Sequence, residues 1–273
     1  MPELPEVEIT VRGVSPSITN QIISSVVVRE TRFRQKVRDD LASILVKQKV
    51  RNVFRRAKYI VIELDKGILV IHLGMSGSLR LFFPSDIPDA RKHDHIDLFF
   101  KNGTLLRFRD PRRFGLFDWF YGAVENYPVF KELGVEPLTD EFCTTYLYKQ
   151  LQNRKASIKL SIMNAKIVVG VGNIYASEAL FLAKINPLKV SGSLKKQECE
   201  RLVVAIKQVL QKSIENGGSS LKDFIHTNGT LGYFQQQHHV YGRENEACHN
   251  CNHLISRVII GQRSSFYCPN CQV

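Results

Sequence analysis

The sequence predicts an α+β chain: a strand-rich N-terminal part, a helical middle and a small C-terminal hairpin. Three observations carry this. Short apolar and β-branched runs recur between Ile22 and Phe120, the spacing turns helical from about Tyr127, and two CxxC pairs frame the last residues. Strands followed by helices mark segregated elements rather than alternating βαβ units.

The elements follow in order. Glu6 to Arg12 begins a helix after Pro2 and Pro5. Strand runs follow at Ile22–Val28, Tyr59–Leu64, Ile68–Leu73, Ser78–Phe83, Ile96–Phe100 and Leu105–Phe108, interrupted by a helix over Asp39–Val46. Asn102-Gly103 separates two of these runs as a two-residue hairpin turn. So many short strands in succession predict a β-sandwich or barrel. Helical spacing then marks Thr139–Leu151, Ile158–Asn164, Asn173–Ala183 and Leu194–Glu215, with glycine-rich breaks at Gly170–Gly172 and Gly217–Gly218. Residues 217–239 are polar and aperiodic, which predicts a mobile surface loop. The resulting division is 1–125, 126–237 and 238–273.

The chain has 273 residues, 44% hydrophobic and 23% charged, the composition of a folded protein with room for two cores. Its formal charge is +12. Such an excess suggests a polyanionic partner, because neutralised phosphates release condensed counterions, although ribosomal, membrane-surface and simply basic proteins share it. No run of roughly 18 apolar residues exists, so no membrane span is expected. The start, MPELPEVEIT, lacks the basic-then-apolar layout of a secretory signal, and the six cysteines are expected to stay reduced in a cytoplasmic protein.

Four of those cysteines form Cys248-x2-Cys251 and Cys268-x2-Cys271, sixteen residues apart. This spacing fits a four-thiolate zinc site, and so short a hairpin needs a metal for stability. A redox pair, unrelated thiols or an iron–sulfur cluster are the alternatives. Four protein ligands leave no open position, so the one Zn2+ is expected to be structural. Arg257, Gln262 and Arg263 lie between the pairs, either a DNA-reaching turn or a solvated basic one. Cys143 and Cys199 read as plain core residues.

The other end carries a possible reagent. Removal of Met1 leaves Pro2 with a secondary amine, and α-amino groups titrate near 7.7–8.0 against about 10.4 for lysine. Such an amine adding to an aldehyde carbon gives an iminium that stays cationic and eases elimination beside it. Glu3 and Glu6 stand close in sequence to move protons. Most Met-Pro starts, however, are merely termini.

A resemblance decides between these readings. MPELPEVE, RRAKY at 55–59, HLGMSGSLR at 72–80, KHDHID at 92–97 and DPRRFG at 110–115 occur in order. VVGVGNIYASEAL at 168–180, GGSSLKDF at 217–224, GYFQQ at 232–236 and the terminal GQRSSFYCPNC follow. Together they resemble the formamidopyrimidine-DNA glycosylases from first residue to last. The resemblance implies an N-terminal β-sandwich with flanking helices, a helix-two-turn-helix module and a zinc-ribbon hairpin. It also implies a monomeric, cytoplasmic and nucleoid-associated repair enzyme acting on double-stranded DNA with oxidised purines or abasic sites.

By matching motif, Pro2 resembles the nucleophile that attacks C1′ and Glu3 the general acid/base, with Glu6 a supporting carboxylate. Lys58 resembles a proton donor in elimination and Arg263 a phosphate contact assigned to the later elimination; without the motif Lys58 reads as a solvated lysine. His93, Arg112, Arg154 and Asn173 match DNA contacts, Asn173 at a helix start where backbone N–H groups suit phosphate. Met75, Arg112 and Phe114 match the side chains that fill the gap left by an extruded nucleotide. Otherwise Met75 and Phe114 read as core. Position 154 is Arg where lysine is common, Asn164-Ala165 replaces an acidic-amide pair, and serines replace threonines in GGSSLKDF. The related endonuclease VIII branch typically begins MPEGPE, unlike this chain. A non-catalytic zinc-ribbon DNA-binding protein would explain the charge and cysteines but leave Pro2, Glu3, Lys58 and DPRRFG without a purpose.

Overall fold

A computed structural model of the chain describes residues 2–218 and 238–273. GYFQQ, most of GGSSLKDF and the surface-loop reading of 217–239 therefore fall largely outside the described residues. Two compact units form, one on residues up to Lys131, the other on Glu132–Asn216 and the C-terminal residues from 238.

The first unit contains α1 (Leu4–Ile18), β1 (Ile23–Val28), α2 (Leu41–Leu45), β2 (Val50–Arg56), β3 (Tyr59–Leu64), β4 (Gly67–His72), β5 (Ser78–Phe82), β6 (Asp94–Phe100), β7 (Leu105–Arg109), β8 (Leu116–Phe120) and α3 (Pro128–Lys131). Two four-stranded antiparallel sheets result, ordered β1-β6-β7-β5 and β2-β3-β4-β8. Ile96, Leu98, Leu106 and Phe108 of one sheet share a core with Ile60, Ile62, Leu69 and Ile71 of the other. This is the expected sandwich. β2 and β8 carry no clean apolar run, and the sequence reading did not mark them singly; pairing with β3 and β4 holds them in the sheet.

Helix α1 starts at Leu4, before the expected Glu6, because Pro5 lies in the first turn, where no intrahelical donor is lost, and it continues past Arg12 to Ile18. Val7, Val11, Val14 and Ile18 recur every three or four residues and bury one face in the sandwich core. Pro2 is buried as well, so the start of the chain is pinned.

The second unit contains α4 (Thr144–Leu151), α5 (Ile158–Ile162), α6 (Asn173–Leu182), α7 (Lys196–Glu215), β9 (Ser256–Ile260) and β10 (Arg263–Tyr267). Residues 139–143 turn instead of extending α4, and Cys143 stands exposed at its N-cap, contrary to the core reading; Cys199 is buried as expected. Helix α6 is buried almost throughout, so its one acid, Glu178, must be partnered. Its carboxylate accepts the backbone N–H groups of His239, Val240 and Tyr241 at 2.8–3.0 Å. Phe181 and Val240 then share a small core with Cys248, Ile255 and Cys268. No helix among the described residues is long and apolar enough to cross a membrane.

Candidate active site and metal centre

At the head of α1, Glu3 is the N-cap residue and is 2% exposed, and Glu6 is fully buried. The Glu6 carboxylate accepts the Glu3 backbone N–H at 2.8 Å. That bond satisfies an otherwise orphaned helix-terminal donor and fixes the chain direction at Pro2. Pro2, Glu3 and Glu6 thus form one buried group at the N-terminus.

Lys58 sits at the tip of the β2–β3 hairpin, closed by the Arg56–Tyr59 pair, and Ala57 before it has a left-handed φ of 54°. A non-glycine residue there is strained, which marks a tip set by its surroundings. The Lys58 and Arg34 charges both act on His72. Burial first, then these two cations, lower the His72 pKa to about 4. Its Nδ1 accepts the Gly74 N–H at 2.9 Å, a bond only the neutral ring makes in this tautomer. The depressed value means that the unfolded chain binds a proton here that the folded one refuses. Stability from this site is therefore complete above pH 6.5 and is lost as pH falls towards 4, about 3 kcal/mol in full. His72→Asn keeps an acceptor without the titration. Denaturant unfolding at pH 7 and pH 5 should show a smaller loss in the variant; parallel losses would reject the assignment.

Met75 and Phe114 are 40% and 48% exposed, so neither is core. The Arg112 guanidinium lies 4.8 Å from the Phe114 ring centre. One acid holds this arrangement. Asp110, fully buried, accepts Ser76 Oγ and the N–H groups of Arg112 and Gly115, while its own N–H donates to the His93 carbonyl. Gly74, at φ 61°, lets the 73–77 turn approach the Phe114 backbone, where a Cβ would collide. A cavity of about 670 Å³ opens beside these residues, lined by Arg32, Arg34, His72, Met75, Arg112 and Phe114. Glu30 pairs with Arg32 and with Arg113, whereas no ion pair among the described residues engages Arg34 or Arg112. An exposed apolar pair beside unengaged guanidinium groups suits a stacked base and its phosphate.

In the second unit, Arg154 is half-buried and its Nε donates to the Gln150 carbonyl at the end of α4. Asn173 opens α6 after Gly172, and its Nδ2 donates to the Ser264 carbonyl at 3.0 Å. That bond ties the helix start to the strand bearing Arg263. Gly261 and Gln262, at φ 54° and 61°, make the tight turn between β9 and β10 and leave Arg263 exposed directly after it. Arg257 lies farther back, opposite Phe266, and reaches Glu244 and Ser264.

The Sγ atoms of Cys248, Cys251, Cys268 and Cys271 lie within 4.8 Å of one another, with close pairs at 3.4, 3.5 and 3.9 Å. Disulfide sulfurs would be about 2.05 Å apart. Tetrahedral thiolates at about 2.3 Å from zinc stand about 3.8 Å apart. The donor set fits one structural zinc ion.

The sequence reading gave no roles to His72, Ser76, Asp110, Lys159, Glu178 or Gln272. Asp110 precedes a proline at a turn, the pattern of a side chain capping its own backbone, and was open to detection. Lys159 and Glu178 are lone charges in apolar helices, which only buried partners permit; Lys159 Nζ donates to Ser265 Oγ at 2.7 Å. Gln272 has no local signal, yet it joins Cys268 N–H to the Ile185 carbonyl.

Residues 1–117 match the family described as the formamidopyrimidine-DNA glycosylase N-terminal domain, and residues 133–225 its H2TH domain. The chain belongs to the formamidopyrimidine-DNA glycosylase family. Residues 245–273 match the zinc finger found in FPG and IleRS. Formamidopyrimidine-DNA glycosylase of Neisseria meningitidis is 50% identical and that of Thioalkalivibrio sulfidiphilus 51%, each with all of both chains covered. Among solved structures, the MutM (Fpg) protein of Thermus thermophilus is 34% identical with a TM-score of 0.87, covering 99% of this chain and 98% of that one. A Lactococcus lactis Fpg mutant in complex with Fapy-dG DNA is 33% identical with a TM-score of 0.89, covering 99% of each chain. A glycosylase family matched along the chain leaves the passive zinc-ribbon reading without support.

Proposed function

We propose that this base-excision repair glycosylase excises 8-oxoguanine and formamidopyrimidines from duplex DNA and is also an AP lyase. It opens the abasic site by successive β- and δ-elimination. The observation that carries this is the joint burial of Pro2, Glu3 and Glu6 at the head of α1, where the Glu6 carboxylate holds the Glu3 N–H and so fixes the backbone next to Pro2. Solved relatives bound to Fapy-dG DNA, abasic DNA and carbocyclic 8-oxo-G DNA support the substrate class.

The Pro2 nitrogen, freed by loss of Met1, attacks C1′ as the glycosidic bond breaks. Glu3 moves the proton required by the opening sugar and departing base. The iminium then acidifies C2′; loss of that proton expels the 3′ phosphate, and a second elimination expels the 5′ phosphate. Lys58 donates a proton during elimination, and Arg263 holds phosphate at the tip of its hairpin. Met75, Arg112 and Phe114 fill the helix where the nucleotide leaves, while His93, Arg154 and Asn173 contact the backbone. Zinc, when bound, supplies only the cross-link that keeps the Arg263 hairpin folded.

The work divides over 1–125, 126–237 and 238–273, in a monomer of the cytoplasm and nucleoid. A duplex with a single 8-oxoguanine should lose the base and be cut to a one-nucleotide gap with phosphate on both ends. Intact strands after base release would remove the lyase half of the reading, and an untouched lesion would remove both.

A further inference from the structure

The face of the β1-β6-β7-β5 sheet turned away from the core carries more positive charge than its acids neutralise. Asp97 and Arg107 stand opposite each other and pair through the Nε–Nη2 edge of the guanidinium, each bond at 2.9 Å, and Arg29 adds a third bond to Asp97. The remaining Arg107 donor is spent on the carbonyls of Pro88 and Asp89. Asp94 is engaged by Arg109 at 3.2 Å and by the Arg91 backbone N–H. Both acids are therefore occupied.

Arg80 is the next residue in the row, directly opposite Arg107. Like charges placed this way across strands destabilise a sheet. Its Nε is buried and has no hydrogen-bond acceptor among the described residues. Burial first, then the Arg109 charge, push its pKa below the ordinary guanidinium value; Asp94 opposes this, and the smaller Arg91 and Arg107 charges add to the lowering. Stability alone gives no reason to keep such a group. Violations of this kind concentrate where a ligand completes the structure.

The surroundings say which ligand. Arg109 directly precedes Asp110, the acid that holds the Arg112–Phe114 turn, and Arg91 lies two residues before His93. We propose that Arg80, Arg91 and Arg109 hold a backbone phosphate of duplex DNA, extending the footprint one step beyond His93 and the 110–115 turn. A phosphate over the half-exposed part of the Arg80 side chain supplies the counter-charge that the occupied acids do not, and offsets the crowding of three guanidinium groups. This rests on the DNA-binding reading above.

The test is the salt dependence of binding to a lesion duplex, for the parent, Arg80→Met, Arg80→Lys and Arg109→Gln. Losing one phosphate contact flattens the slope of log K against log salt by about 0.9. A tenfold rise in salt then costs Arg80→Met and Arg109→Gln roughly eightfold less affinity than it costs the parent. Arg80→Lys, which keeps the charge, should hold the parent slope. Without DNA, Arg80→Met should melt at or above the parent temperature, since it removes an unsatisfied buried donor. An unchanged slope in Arg80→Met, or a lowered melting temperature, overturns the phosphate site. A parent that binds no duplex overturns the DNA reading, and this site with it.

Discussion

A protein that keeps a residue ahead of Pro2 should form no borohydride-trapped adduct with abasic DNA while still binding the same duplex. The reason is electronic. A proline nitrogen acylated by a preceding residue is a tertiary amide whose lone pair is delocalised into the carbonyl, so it cannot add to C1′. Only the free ring nitrogen gives an iminium without an N–H to lose. Pro2→Gly separates the amine from the ring: the amine survives as a primary one, but the imine it forms can shed its proton and its charge. Trapping and base release should then fall roughly a hundredfold or more, which is about 2.7 kcal/mol of barrier. Because Pro2 is buried at the head of α1, each variant also needs a melting curve to show that the helix start is intact. Mass spectrometry of the trapped complex should place the adduct on the terminal residue. A trapped adduct in the blocked protein, or one that maps to Lys58, would transfer the nucleophile elsewhere.

How much of this was legible in the residues depends on how local each signal is. The β3 boundaries and the Cys248–Cys271 spacing are local, and the structure reproduces both. The sandwich was also open to reading, since a run of short strands has few other ways to bury its apolar faces. β2 and β8 were not marked because neighbours, rather than their own patterns, hold them in the sheet. The site divides the same way. Pro2, Glu3, Lys58 and Arg263 were named from motifs, and the structure adds what sets them in place. Glu6 fixes the chain at Glu3, Asp110 gathers the turn of Arg112 and Phe114, and Asn173 grips the strand of Arg263. The Glu6 and Asp110 bonds are local, two to five residues apart, whereas the Asn173 bond spans 91 residues, and spacing does not encode it. Arg80 is the extreme case. That its Nε has no acceptor among the described residues is visible only once three strands are aligned.

Removing zinc, by chelation or by Cys268→Ser, should unfold the C-terminal hairpin and cost most of the DNA affinity, while the sandwich keeps its fold. The hairpin has little else to hold it. β9 and β10 pair over five residues each, Ile259 is exposed, and the apolar cluster beneath them contains the four cysteines themselves. An isolated two-stranded hairpin is marginal in water, whereas zinc binding to four thiolates contributes about 10–16 kcal/mol of apparent folding energy. Loss of the metal also withdraws the Ser265 hydroxyl from the buried Lys159 ammonium and the Ser264 carbonyl from Asn173. The start of α6 and the whole of α5 should therefore loosen with the hairpin. Hydrogen exchange reads this directly. Protection over residues 256–267 should vanish, protection at 158–162 should fall, and the strands of the sandwich should be unaffected. Arg263 would then ride on an unfolded segment, so any phosphate contact it makes would carry the cost of ordering that segment. Zinc-free protein that retains protection at 256–267 and binds lesion DNA as before would show that the thiolate cluster is dispensable to the fold.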